Sequence, residues 1–193
     1  MKSFSREAGS VRLRPMTQGD EALFHALYTD PETMRFVCAA WTPAEAAERF
    51  RRVLQRGQES ALANRYLVIV EEATGDPLGI CGSSHYDPVA LRVEVGVMLL
   101  PSWCGQGVGK GALAALVDCL FQEPSLLEVY ARFAVENSAA RDLVTRVGFR
   151  PNHAAKGKKQ DRLACEWSVC RSQWNTGQTT NNGVTDVQCN RSY

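Results

Sequence analysis

The spacing of apolar residues changes along the chain between the two periods that distinguish strands from helices. Residues 11–15 (VRLRP) alternate and stop at a proline, which predicts a short first strand. Residues 18–29 repeat at helical spacing. Their apolar positions share one helical face: Leu23, Phe24, Leu27 and Tyr28. Residues 42–45 (TPAE) combine an N-cap, a proline and a glutamate three residues after the cap, which predicts a second helix.

Strand-like patterns dominate the middle of the chain. Residues 65–73 and 78–86 flank the turn sequence Thr-Gly-Asp-Pro, which predicts a hairpin. A third strand is predicted for residues 91–100 (LRVEVGVMLL). The alternation of Arg92 and Glu94 with valines gives the beginning of this strand one polar face.

Two helices and three strands complete the predicted order, and the middle one of these strands is FRPNH (residues 149–153). The stretch after residue 107 repeats apolar residues at helical spacing: Leu113, Leu116, Val117 and Leu120. Residues 126–135 and 162–170 are typical of strands. Asn137 is predicted as the N-cap of a further helix that ends at Gly148. This order predicts an α+β or α/β domain with a mostly antiparallel sheet.

The length of 193 residues allows one domain, predicted for residues 1–170, and the polar residues 171–193 are predicted to form a flexible tail. A formal net charge of +1 gives no overall attraction to nucleic acid or to an anionic membrane, so neither is predicted as a partner. No apolar run reaches the length of a membrane span, and the N-terminus has no apolar signal region. A cytoplasmic location is therefore expected.

The cysteines and histidines predict no metal site. Seven cysteines are an odd number, and they include no C-x-x-C pair, which fits neither a disulfide framework nor a zinc site. The three histidines lack metal-ligand spacing from one another.

Three glycines, Gly105, Gly107 and Gly109, stand directly before a predicted helix. Such a start offers main-chain N–H groups at the positive end of the helix dipole, where a phosphate is the natural ligand. A Walker loop would require Ser or Thr after Lys110, where the chain has Gly111. A dinucleotide-binding loop would require G-x-G-x-x-G in a parallel unit, whereas the chain has G-x-G-x-G after a hairpin. A tight turn without a ligand is the remaining alternative.

Residues 104–109 (CGQGVG) resemble the Gln/Arg-x-x-Gly-x-Gly/Ala loop of the GNAT superfamily of acetyl-CoA-dependent N-acetyltransferases. Residues 11–37 resemble the opening of its ribosomal-protein acetyltransferase (RimJ/RimL-like) branch. Residues 94–113 resemble its central strand and cofactor loop, and residues 136–149 (ENSAARDLVTRVGF) its asparagine-led second cofactor helix. The resemblance covers residues 11–170. It implies the GNAT acyltransferase fold, with about seven strands in a mixed, mostly antiparallel twisted sheet, flanking helices and splayed central strands.

The resemblance implies acetyl-CoA as cosubstrate. The pyrophosphate is expected on the main-chain amides of six residues: Gly105, Gln106, Gly107, Val108, Gly109 and Lys110. The pantetheine arm is expected to pair with Val97, Met98 and Leu99, as an added strand would. Asn137 corresponds to the family's asparagine near this arm, a role that is compatible with a plain N-cap. Cys104 stands where the family prefers Gln or Arg. Little loss of affinity for the cofactor is expected, because the contacts to the pyrophosphate are mainly with the main chain.

Acetyl transfer to an amine requires a base for the amine proton and donors for the developing oxyanion. The resemblance implies the N–H groups of Val97 or Met98 as donors. Glu94 is the first candidate base, because it matches the glutamate of the branch's Glu-Ile/Val-Gly pattern. The alternative is a glutamate on an exposed face, paired with Arg92 or Arg132.

The sequence does not identify the general acid. The tyrosine of many relatives corresponds to Val144, and the serine of the branch's Asn-x-x-Ser motif corresponds to Ala140. The alternatives are Ser138, Tyr130, Tyr86 and water. His85 and Tyr86 are also candidates for the acceptor pocket, where His85 could either relay a proton or be a hydrogen-bonded structural residue.

These features together predict an acetyl-CoA-dependent N-acetyltransferase in which a primary amine attacks directly in a ternary complex. The acceptor is either a protein N-terminus or a small-molecule amine. A covalent route through Cys104 is disfavoured, because the glycine loop would hold this thiol near the phosphates. The alternative function is a catalytically silent acyl-CoA-binding module, and a homodimer is left open.

Overall fold

A computed structural model describes residues 10–56, 62, 64–152, 157–159 and 162–178, and this part of the chain contains eight strands and six α-helices. In chain order they are β1 (Val11–Pro15), α1 (Glu21–Tyr28), α2 (Pro31–Met34), α3 (Pro43–Arg56), β2 (Arg65–Glu71), β3 (Pro77–Asp87), β4 (Arg92–Leu99), α4 (Val108–Leu120), β5 (Glu128–Ala134), α5 (Ser138–Val147), β6 (Arg150–Pro151), β7 (Gly157–Lys159), β8 (Arg162–Cys170) and α6 (Arg171–Gln178). Short 3₁₀ turns precede α1 (Gln18–Asp20) and follow β4 (Pro101–Trp103).

The strands form one mixed sheet in the order β1-β2-β3-β4-β5-β8-β6, and β7 pairs with β8. Every neighbouring pair is antiparallel except β4 and β5. Helix α4 provides the crossover that a parallel pair requires. The predicted fold class is confirmed, and the sheet has eight strands where about seven were expected.

The parallel pair in the middle of the sheet separates after three residues. Arg92–Glu94 of β4 pair with Glu128–Tyr130 of β5, and no pairing between these strands continues beyond that point in the described residues. Both strands run on, β4 to Leu99 and β5 to Ala134. The predicted splaying of the central strands is therefore present, and it opens a gap within the sheet.

The helices cover the two faces of the sheet unequally. On one face, α4 packs its apolar side over the central strands, with Leu113 and Leu116 in one cluster with Val93 and Val95. On the other face, α1 and α3 pack over β2 and β3 and reach Met98 near the end of β4. Their cluster contains Phe24, Leu27, Phe50, Val68, Val70 and Ile80. Glu94 lies on this second face by strand alternation, beyond the part that these helices cover.

The predicted helix caps determine where α3 and α5 begin and end. Thr42 and Glu45 form a reciprocal cap, in which the Glu45 carboxylate accepts from the Thr42 N–H at 2.8 Å. The Asn137 side-chain oxygen accepts from the Ala140 N–H at 3.0 Å. Gly148 ends α5 in the left-handed region, with φ of 101°.

Helices α2 and α6 are absent from the sequence predictions. The tail was predicted to begin at residue 171, but α6 continues the ordered chain to Gln178, and residues 179–193 lie outside the described residues. Arg171 holds α6 by donating to the carbonyls of Phe121 (2.7 Å) and Leu126 (2.9 Å), and the Trp174 indole donates to Asp118 (2.7 Å). These bonds join distant segments, so local composition does not reveal them. None of the described helices combines the length and apolarity needed to cross a bilayer.

Candidate active site

The glycine loop leads into α4 through two residues in left-handed conformations. Gly105 has a φ of 78°, and Gly107, the N-cap of α4, has a φ of 82°. A side chain at either position would be strained, since only glycine adopts this region without cost. No side chain caps the helix start.

The main-chain amides of this loop have no acceptors within the described residues. No protein carbonyl accepts from the N–H groups of residues 105–109, and the first bonds run from the Lys110 and Gly111 N–H groups to the Gly107 carbonyl at 3.0 and 3.2 Å. Five successive donors are thus left at the positive end of a 13-residue helix. This arrangement suits a ligand with phosphate oxygens.

The side chains of the loop contribute less than its main chain. Gln106 folds back and donates from Nε2 to the Ser102 carbonyl at 2.6 Å, while its Oε1 is buried without a partner among the described residues. The Lys110 side chain is exposed. Cys104 is exposed at the loop, with its sulfur 3.7 Å from the Leu100 carbonyl oxygen.

A cavity of about 290 Å³ occupies the gap between β4 and β5. Its walls on the side of α4 and α5 include Val95, Val97, Leu113, Phe133, Asn137, Ala140, Leu143 and Val144. Its walls on the opposite side of the sheet include Tyr28, Phe36, Val37, Tyr66, Glu94, Met98 and Arg132. The cavity therefore passes through the sheet and connects its two faces.

The glycine loop lies directly beside this cavity. A Cβ built on Gly109 would stand 3.5 Å from the Leu143 side chain and 3.6 Å from the Leu99 side chain. Leu143 lines the cavity and Leu99 ends β4. A long, narrow ligand could therefore extend from the loop amides, along β4, into the gap.

Glu94 presents a buried carboxylate to the cavity. Only 6% of the residue is exposed, and its Oε2 lies 3.3 Å from Nδ1 of His85. The His85 side chain is 74% exposed, so the imidazole stands between the carboxylate and solvent. A register shift in β3 between Ser84 and Asp87 gives His85 this position, and its φ of 51° is part of that irregularity.

The predicted alternative for Glu94, an ion pair on an exposed face, does not match its burial. Arg92 donates to Glu166 at 2.6 Å and lies 3.1 Å from a Glu128 oxygen. Arg132 lines the cavity on the same sheet face as Glu94. It lies two residues after Tyr130, which pairs with Glu94 between β4 and β5.

Tyr130 lies under the register shift of β3. The Arg92 guanidinium lies 4.0 Å from the centre of the Tyr130 ring, and the Tyr130 hydroxyl donates to the His85 carbonyl oxygen at 3.5 Å. Burial, and then the nearby Glu94 charge, raise the Tyr130 pKa above its usual value. Tyr130 thus supports the segment that holds His85.

The structure brings most of the predicted site residues together. Glu94, Val97, Met98 and Asn137 line the cavity, His85 adjoins it, and Leu99 borders the loop. Tyr86 points elsewhere and packs against the cluster under α4. Ala140 and Val144 also line the cavity, so the positions of the usual acids are apolar.

Sequence reasoning did not find the wall formed by Tyr28, Phe36, Val37 and Tyr66. These residues come from α1, from the segment between α2 and α3, and from β2. Nothing in their local spacing distinguishes them from ordinary core positions. Within the described part of the chain, no group of three or more His, Cys, Asp or Glu residues could hold a metal ion.

Residues 10–150 match the model of the acetyltransferase (GNAT) domain family. The chain belongs to this GNAT family. It is 28% identical over 160 residues to the uncharacterized N-acetyltransferase p20 of Bacillus licheniformis, covering 78% of this chain and 88% of that protein. It is 25% identical over 144 residues to the spermidine N(1)-acetyltransferase of Escherichia coli K12, covering 74% of each chain.

A solved GNAT structure has the same fold. The aminoglycoside acetyltransferase AAC(6')-Ib in complex with coenzyme A superposes with a TM-score of 0.74, at 20% identity, covering 88% of this chain and 99% of that chain. The protein is therefore an N-acetyltransferase of the GNAT family. The assignment to the RimJ/RimL-like branch stays a prediction.

Proposed function

We propose that the protein transfers the acetyl group of acetyl-CoA to the primary amine of a small molecule, by direct attack in a ternary complex. One observation carries this proposal: the cavity, whose wall at Leu143 adjoins the loop of unpaired amides, reaches the buried Glu94 carboxylate through the gap in the sheet. We call the part of the cavity beside α4 and α5 the cofactor side, and the opposite part the acceptor side.

The cofactor side fits coenzyme A. The amides of residues 105–109 would hold the pyrophosphate at the start of α4. Alternate residues of β4 direct main-chain N–H and C=O groups away from β3 into the gap, where the pantetheine arm could add as a strand along Val97, Met98 and Leu99. Asn137 lies on the cavity wall beside this path.

When bound, acetyl-CoA supplies the thioester carbonyl that the amine attacks. Glu94 takes the proton of the amine, because it is the one carboxylate among the described residues that line the cavity. His85, 3.3 Å away and largely exposed, passes this proton to solvent. An N–H group of Val97 or Met98 donates to the carbonyl oxygen as negative charge develops there.

The apolar residues Ala140 and Val144 supply no general acid, so a water molecule protonates the departing thiolate in this proposal. A covalent route would require a thiolate in the cavity. Burial raises the pKa of Cys81, which lines the cavity, and Cys104 is placed at the loop. Both observations support direct attack.

The relatives favour a small-molecule acceptor. The Escherichia coli relative is named for spermidine and the solved neighbour for aminoglycosides. A protein N-terminus, as the RimJ/RimL-like resemblance implies, is the alternative acceptor. The cytoplasmic location and a homodimer remain predictions.

The first experiment is calorimetry with CoA, followed by a thiol-release assay with acetyl-CoA over a panel of amines. We expect CoA binding and turnover of at least one amine. Tight CoA binding without turnover of any amine would favour the silent acyl-CoA-binding module, and absence of CoA binding would remove the proposal.

A further inference from the structure

We propose that the acceptor is an amine that carries one positive charge on an apolar body about the size of an aromatic ring. Polycationic amines are then poor acceptors. This inference rests on the proposed function, because it concerns the acceptor side of the same cavity. It separates the protein from the relative named for spermidine and from the solved neighbour named for aminoglycosides.

The first argument is the apolar character of the acceptor side. Tyr28, Phe36 and Val37 form its outer wall, and Tyr66 and Met98 continue it toward β4. The Tyr28 ring stacks on Trp41 with 4.4 Å between ring centres and 5° between planes. Burial raises the Tyr28 pKa, so its hydroxyl stays neutral. A wall of this kind stabilises an apolar body by excluding water.

The second argument is charge. In the lining, as far as the structure describes it, Glu94 is the one carboxylate, and Arg132 is the cation on the acceptor side; the other lining arginine, Arg65, turns to the α4 side, where its Nη1 lies 3.3 Å from the Cys119 sulfur. Glu94 can match one ammonium group. Arg132 lies on the same sheet face, so a second ammonium group of a polyamine would approach a guanidinium. Like charges brought together in a cavity oppose binding strongly.

The third argument is the surroundings of the aromatic wall. The Arg35 guanidinium lies 5.1 Å from the centre of the Phe36 ring, and the Arg49 guanidinium lies 4.4 Å from that of Trp41. The neighbouring carboxylates of Asp30 and Glu45 cap α2 and α3, accepting from the N–H groups of Thr33 and Thr42. These two carboxylates therefore cap helices and do not belong to the described cavity lining.

The test compares kcat/KM for 2-phenylethylamine, spermidine, kanamycin and an alanine-led tripeptide, each with saturating acetyl-CoA and thiol-release detection. We expect a value for 2-phenylethylamine at least about tenfold above those of the other three. An equal or higher value for spermidine, kanamycin or the peptide overturns the inference and leaves the transferase assignment intact. No turnover of any amine overturns both.

Arg132→Gln tests the charge argument within the protein. Glutamine avoids the carboxylate pair that Arg132→Glu would create with Glu166, the cross-strand partner of Arg132. Arg146→Gln, on the exposed side of α5, removes the same charge away from the cavity. We expect the ratio of kcat/KM for spermidine over 2-phenylethylamine to rise about fivefold in Arg132→Gln and to stay constant in Arg146→Gln. An unchanged or lower ratio in Arg132→Gln, or an equal rise in both variants, overturns the inference.

Discussion

The two sides of the cavity are built from different parts of the polypeptide. On the cofactor side, the groups that face a ligand belong mainly to the main chain: the amides of residues 105–109 and the unpaired edge of β4. On the acceptor side they are side chains from α1, from the segment before α3 and from β2, β4 and β5. The cofactor side therefore depends on backbone conformation, and the acceptor side on the identity of individual residues.

This difference has a chemical reason. A pyrophosphate can be held by N–H groups that any sequence supplies, provided that glycines give the loop its conformation. An amine acceptor must lose a proton and be recognised by its shape and charge, which requires side chains such as a carboxylate. Substitutions on the two sides should consequently change different measurements.

Glu94→Gln should have the largest effect. The amide keeps the shape of the side chain but cannot take a proton, so we expect kcat to fall by about 10²- to 10³-fold, with unchanged CoA affinity by calorimetry. Glu72→Gln, an exposed position after β2, is the matched control and should leave both values unchanged. A kcat within twofold of the wild type and an unaltered pH–rate profile would remove Glu94 as the base.

Asp20→Asn should loosen the support of the acceptor side. The buried Asp20 carboxylate accepts from both terminal nitrogens of Arg14 at 2.8 and 2.6 Å and from the Thr17 N–H at 2.8 Å, which ties β1 to the start of α1. We expect the free energy of unfolding to fall by about 2 kcal/mol in urea titrations at pH 7. Asp142→Asn, on the exposed face of α5, should leave it unchanged.

The pH dependence of this difference follows from the Asp20 pKa. The hydrogen bonds from Arg14 are the main cause that lowers it below its usual value. A lowered folded-state pKa gives stability that is present above the unfolded pKa and lost as pH falls through the folded pKa. The difference in free energy of unfolding between wild type and Asp20→Asn should thus be constant from pH 7 to about 5 and become smaller below about pH 4. If this difference in free energy of unfolding instead became larger in acid, the role of the Arg14–Asp20 ion pair would be contradicted.

The same contrast explains what the sequence could predict. Most groups of the cofactor side that would face a ligand lie in the continuous stretch 94–113, where the strand, the glycines and the helix follow one another, so these elements and the loop could be predicted locally. The caps at Thr42, Asn137 and Gly148 were also predictable, since each acts within four residues.

The acceptor side could not be predicted in this way. Tyr28 looks like an ordinary member of an amphipathic helix, and its place on the cavity wall depends on how α1 packs over the sheet. Tyr86 was expected in the pocket because it adjoins His85, but the register shift in β3 sends it toward the cluster under α4. Helix α6 is held by bonds from Arg171 to carbonyls about fifty residues away, which no local pattern records.

Gly107→Ala tests the cofactor side alone. Gly75, in the turn between β2 and β3, has a similar φ of 77°, and a Cβ at either glycine meets no atom within 4 Å. Alanine should therefore cost about 1–2 kcal/mol of stability at both positions. The CoA dissociation constant should rise about tenfold in Gly107→Ala only, because only that loop is proposed to hold the pyrophosphate. Equal CoA affinities in the two variants would show that the loop conformation is not used for binding.

His85→Gln should have the smallest effect and the most specific one. If His85 conducts a proton from the buried Glu94 to solvent, its loss should lower kcat about fivefold, and imidazole added to the buffer should restore part of the rate. A residue that only supports the shape of β3 would not be rescued by a free base. His25→Gln, on α1 and outside the described cavity lining, provides the control without rescue. A slow His85→Gln enzyme that imidazole does not accelerate would make His85 a structural residue and leave Glu94 to exchange its proton with water directly.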